Sequence, residues 1–227
     1  MAEIKHEWTV GGRSVFCAGD PTSECMFLQP VDEHDTERLQ DEMAALKKLS
    51  GTSDWALVTV PVESWGNDLT PWAAPAVFGN EGFGCGAPET LAFILNDLLP
   101  YVEKEYPQEN RRIFLCGYSL AGFFSLWAAY QSDVFSGAAA VSPSVWYPGW
   151  LDYARTHSVK VPRVYLSLGL KEEKARNRVM ATVGDAIREE YRLLSDAGVS
   201  CTLEWNPGNH FIESDLRMAK GMAWLLG

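Results

Sequence analysis

Gly117-Tyr118-Ser119-Leu120-Ala121-Gly122 sets a serine among small residues, directly after the apolar run Ile113 to Cys116 and directly before a helical pattern. A serine on a tight strand-to-helix turn presents its hydroxyl from a strained backbone, as in the nucleophile elbow G-x-S-x-G. The backbone N–H of the next residue, Leu120, faces the same space and is suited to bind a developing oxyanion. Ala121 stands where the pattern has its second glycine, and Gly122 follows. Ser119 is therefore the expected nucleophile.

A serine hydroxyl needs a base, and the chain offers only His6, His34, His157 and His210. His6 and His34 sit in polar surroundings and read as surface residues; His157 lies in a charged and polar stretch. His210, in Pro207-Gly208-Asn209-His210-Phe211, follows a strand pattern and precedes the last helix pattern. The order serine, acid, histidine is that of hydrolases built on such an elbow. An acid is then required to hold the imidazole tautomer. The loop Gly169-Leu170-Lys171-Glu172-Glu173-Lys174 supplies two carboxylates that qualify on position, Glu172 first and Glu173 second. The second oxyanion donor is expected in the loop after Val60, at the N–H of Trp65 or a direct neighbour. Trp72, Trp146 and Tyr118 are the expected substrate-binding residues, since flat rings near the elbow stack well on planar groups.

Such residues must be held by loops at one edge of a sheet, and the pattern provides that sheet. Short apolar runs at Met26–Gln29, Trp55–Val60, Arg112–Cys116, Gly137–Val141, Val164–Leu168 and Thr202–Trp205 read as strands. Helical spacing fills Thr36–Leu49 (with Asp35 as N-cap), Glu89–Tyr106 (with a kink at Pro100), Leu120–Gln131, Ala175–Ala197 and Ile212–Leu226. Strands alternating with helices of this length predict a mostly parallel, twisted sheet with helices on both faces. Ligands bind at the carboxyl ends of such strands. Glu63 to Gly86 is a long Trp-, Gly- and Pro-rich loop, and a loop of that length is usually functional. The interval from Ser119 to Glu172 leaves no room for a large lid, and residues 1–227 read as one domain.

Nineteen cations against thirty acids give a formal charge of −11. That balance argues against a nucleic-acid partner and against an anionic membrane surface. Five scattered cysteines include no C-x-x-C pair. Met1 to Val10 lacks the apolar stretch of a signal peptide, and no run is long enough for a membrane span. A cytoplasmic location is the default expectation.

The chain resembles the α/β-hydrolase superfamily, and within it the esterase D and enterochelin-esterase-like branch. The resemblance rests on GYSLAG, on WGNDLTPW, on SPSVWY after the strand beyond the elbow, on the SLG…EE loop and on GNHF. It implies an α/β-hydrolase sandwich that hydrolyses an ester through Ser119 and His210, without cofactor or metal. It places the acid three residues after the glycine of the SLG loop, at Glu172. The expected partner is a small-molecule ester with a small or aromatic acyl group, and a homodimer is admitted. An acyltransferase on the same triad, or a binding module on a hydrolase scaffold, are the alternatives.

Overall fold

The structure is a computed structural model describing residues 4–32 and 38–227. Among the described residues, eight strands form one sheet: β1 Ile4–Val10, β2 Arg13–Gly19, β3 Cys25–Val31, β4 Ala56–Pro61, β5 Arg112–Tyr118, β6 Gly137–Val141, β7 Arg163–Gly169 and β8 Ser200–Asn206. Their order is β1-β2-β4-β3-β5-β6-β7-β8. From β4 to β8 every pairing is parallel, while β1, β2 and β4 pair antiparallel.

The helices are α1 Leu39–Ser50, α2 Trp65–Asp68, α3 Ala87–Phe93, α4 Leu99–Glu105, α5 Leu120–Gln131, α6 Trp150–Thr156, α7 Val183–Asp196 and α8 Ser214–Leu226. Alternation along the strands divides the core in two. Met26, Leu28, Leu115, Ala138 and Ala140 face α3 to α7. Phe27, Phe114, Cys116, Ala139 and Val141 face α1 and α8. Strands apolar on both faces are what a sheet covered on both sides requires. This is the α/β-hydrolase sandwich, with only the seven-residue α6 between β6 and β7 and, among the described residues, no large lid domain. No described helix is long and apolar enough to cross a membrane.

Several expectations need correction. The hairpin β1–β2 is absent from the strand pattern read above. Gly11-Gly12, both at positive φ, turn it between two alternating runs, and a Gly-Gly pair so placed is a hairpin signal. His6 lies on β1, half-buried against the rings of Trp8 and Tyr106, not on an open surface. His34 and Asp35 lie outside the described residues, as do Thr36 and Glu37 at the start of the expected helix, which is described from Leu39 with Arg38 as its N-cap. The helix expected from Ala175 begins at Val183. Before it the Asn177 carboxamide bonds the N–H groups of Val179 and Met180 and the carbonyl of Val77, holding this stretch as a loop. The helix expected over Glu89–Tyr106 forms with a π-type turn at Ile94–Leu98 just ahead of Pro100, a proline-compatible widening. The last helix starts at Ser214 because Glu213 takes a left-handed conformation, φ 52°.

α5 is buried on all sides except at Gln131, so it threads the middle of the molecule and fixes the turn that precedes it. On its far side Glu190 of α7 is fully buried. It accepts hydrogen bonds from the Tyr130 hydroxyl at 2.8 Å and the Trp150 indole at 3.0 Å, tying α5, α6 and α7 together. Burial pushes its carboxyl up to about 7, against the pull of those two donors.

Candidate active site

Ser119 joins β5 to α5 with φ 59° and ψ −119°, a conformation that L-residues avoid. Its amide donates to Val141 O at 3.1 Å, and its carbonyl accepts from Phe123 N at 2.9 Å and Ser144 N at 3.1 Å. A Cβ on Gly117 would lie 2.4 Å from the Ala121 carbonyl oxygen, and one on Gly122 would lie 2.8 Å from Gly117 O. The turn thus needs glycine at 117 and 122, and tolerates alanine at 121. The departure from the simple G-x-S-x-G pattern is a one-residue displacement of the close approach to the sheet.

The loop after β8 brings His210 over the turn. Its Nε2 lies 3.0 Å from Ser119 Oγ and its Nδ1 lies 2.7 Å from Glu172 Oε2. The Tyr118 hydroxyl donates to His210 O at 2.6 Å, which anchors the histidine backbone to the end of β5. His157 is remote from this cluster; it caps α6 and stacks on Tyr153.

Glu172 arrives on a single 3-10 turn, Glu172–Lys174, after β7. Its side chain is only 5% exposed. Oε1 accepts from Gly169 N at 2.7 Å, Ser142 Oγ at 2.8 Å and Arg217 Nη2 at 2.8 Å, leaving Oε2 for His210. Burial raises the carboxyl's affinity for a proton, but donation by His210, Arg217 and Ser142 outweighs it and holds the group down to about 2. Glu173 turns the other way and pairs with Arg188 at 2.8 Å. Of the two carboxylates that qualified on position, the structure brings Glu172 to the histidine.

Two residues at the site carried no role in the sequence reading. Arg217 of α8, 1% exposed, touches Glu172, Ser142 and Asn209 O, and lies over the Tyr118 ring. A guanidinium at a buried position demands a carboxylate, since such a charge is almost never buried unpaired. The visible signal was an arginine on the stripe that continues through Gly221 and Leu225 of an otherwise apolar helix face. Ser142, at φ 44° after β6, is the first serine of SPSVWY.

Leu120 opens α5 and Trp65 opens α2. The N–H of a first helical residue has no intrahelical acceptor, so both proposed oxyanion donors are free of the helix ladder. Ser119 stands between two cavities. One, about 230 Å³, includes Trp65, Tyr118, Gln29 and Arg38. The other, about 770 Å³, includes Trp146, Phe78, Met180 and Val183. Trp72 lines neither, which corrects its expected substrate-binding role. Its indole N–H donates to Pro148 O at 2.8 Å, and its ring packs edge-on to Tyr147 and against Tyr153. It pins the long loop to the body.

A family model described as "Putative esterase" matches residues 29–200. No curated protein matches the chain by sequence. Among solved structures, an IroE-like serine hydrolase from Shewanella oneidensis superposes with a TM-score of 0.74 at 17% identity, covering 93% of this chain and 75% of that one. A siderophore hydrolase, EstA, from Aspergillus nidulans gives a TM-score of 0.74 at 19% identity, with 97% and 93% covered. The enterobactin esterase FES from Shigella flexneri gives 0.69 at 16% identity, with 97% and 58% covered. At these identities the structural likeness speaks for the fold.

Proposed function

The chain belongs to this esterase family, and from that membership we propose a serine esterase that works through an acyl-enzyme on Ser119. The observation that carries the reading is the unbroken hydrogen-bond chain from Ser119 Oγ through His210 to Glu172. His210 Nε2 takes the hydroxyl proton as Oγ attacks the ester carbonyl. Glu172 accepts from Nδ1–H and so keeps the lone pair on Nε2 and balances the imidazolium that forms. The N–H groups of Leu120 and Trp65 stabilise the oxyanion. Nε2–H then protonates the leaving alcohol, and a water repeats the sequence on the acyl-enzyme. A fluorophosphonate probe tests the nucleophile directly: one equivalent should attach at Ser119, and a protein left unlabelled would overturn the reading.

The acyl group is small or aromatic. Trp146, Phe78, Met180 and Val183 support this by walling the larger cavity with rings and short apolar chains. Between β6 and β7 the one helix is the seven-residue α6, whose Trp150 packs on Phe123 and Tyr130. For 4-nitrophenyl esters, kcat/KM should be highest for compact and arylalkanoyl groups and fall for chains of about ten carbons or more. A rising trend out to long chains would overturn the pocket assignment.

A further inference from the structure

The chain carries a net charge of −11, yet four cations fall within the eight residues from Lys171 to Arg178. Two of them, Lys171 and Lys174, line the larger cavity beside Ser119. Both are exposed, and among the described residues neither ammonium has a hydrogen-bond or ion-pair partner. The carboxylates between them in sequence are spoken for. Glu172 faces inward to His210 and Arg217, and Glu173 pairs with Arg188. Elsewhere the surface cations of α6, α7 and α8 sit on carboxylates: Arg155 and Arg192 on Glu189, Arg188 on Glu173 and Asp185, and Lys220 on Glu204. The cleft lip is thus a local exception to the sign of the protein.

Among the described residues the one acidic side chain lining this cavity is Glu172, whose charge is consumed by its three donors and the histidine. The remaining wall is largely apolar. An apolar cleft with two uncompensated ammonium groups at its lip matches an amphiphilic anion, with an apolar body inside and a carboxylate-like group at its outer end. A negatively charged ligand approaching an acidic protein is repelled on average, so a cationic patch at the entrance raises both encounter and residence there.

We propose that Lys171 and Lys174 select esters whose acyl group ends in an anionic substituent. This rests on the serine-esterase reading, and the test separates the two. The substrate pair is the 4-nitrophenyl esters of 3-(4-carboxyphenyl)propanoic acid and of 3-(4-carbamoylphenyl)propanoic acid. They match in shape and differ in charge at the far end of the acyl group. The anionic ester should have the higher kcat/KM by about 5- to 30-fold at low ionic strength, a range expected of a charge pair at a partly screened cleft. The advantage should shrink in about 0.5 M salt. In the double variant Lys171→Gln/Lys174→Gln the ratio should fall towards one, and in Lys171→Glu/Lys174→Glu it should invert.

A wild-type ratio of one or below, or a ratio that persists in the glutamine variant, would overturn the proposal. Calorimetry with the free dicarboxylate and its mono-carboxamide gives a reading independent of turnover. Preferential binding of the dicarboxylate, lost in the glutamine variant, supports the lysines even if no ester is cleaved; equal binding of both overturns them. Absence of fluorophosphonate labelling overturns the esterase reading alone.

Discussion

Replacing Ser119 by alanine should lower kcat for a 4-nitrophenyl ester by about 10⁴–10⁶ and leave the fold unchanged. The substitution removes one oxygen from a turn whose backbone is held by Val141 O, Phe123 N and Ser144 N rather than by the side chain. Alanine keeps the Cβ, so the strained dihedrals of the turn cost the same in both proteins. The melting temperature should move by no more than a few degrees. The proposed oxyanion donors and the cavities survive, so residual hydrolysis above the rate in water is expected. A variant that keeps a tenth of the wild-type kcat would remove Ser119 from the mechanism.

Glu172→Gln should separate the two adjacent acids. An amide at 172 presents either an oxygen or an NH₂ to His210 Nδ1, and the second choice stabilises the wrong tautomer. A loss of about 10⁴ in kcat is the scale set by a comparable change in a serine protease triad. The same change leaves Arg217, 1% exposed, without its anion. Breaking a buried pair from one side costs about 3–5 kcal/mol, which a denaturant titration would read. Glu172→Gln/Arg217→Met should recover much of that stability and none of the activity. Glu173→Gln removes only a half-exposed pair with Arg188, worth less than about 1 kcal/mol, and should leave kcat alone. Loss of activity in Glu173→Gln with retention in Glu172→Gln would reverse the assignment.

Ser119, His210 and the Glu172–Glu173 pair were legible because each follows a strand in a parallel sheet, and chain order alone assigns them to one edge. The choice between the two glutamates was not, because it depends on the phase of a single 3-10 turn. Arg217 was hidden for a related reason: an arginine in a helix usually reads as solvated, and only the partner across 45 residues makes it a core residue. For the hairpin β1–β2 the legible mark is the Gly11-Gly12 pair between two alternating runs. Trp72 illustrates the opposite error. Its loop position was right, but an indole beside Tyr147, Tyr153 and an open carbonyl gains more from packing inward than from facing a cleft.

The elbow also sets a limit on how robust this protein can become. A non-glycine residue at φ 59° and ψ −119° stores about 1–3 kcal/mol of backbone strain, a sizeable share of the margin that keeps any domain folded. Part of that energy is recoverable at only one place in the turn, by Ser119→Gly, which abandons the hydroxyl. Against Ser119→Ala as reference, Ser119→Gly should unfold later by about 1 kcal/mol, after the greater freedom of glycine in the unfolded chain is taken into account. Equal or lower stability of the glycine variant would show that the surrounding bonds absorb the strain. Selection for heat tolerance alone would therefore favour loss of the Ser119 hydroxyl at this turn, so a search for hardened variants must screen for turnover at every round.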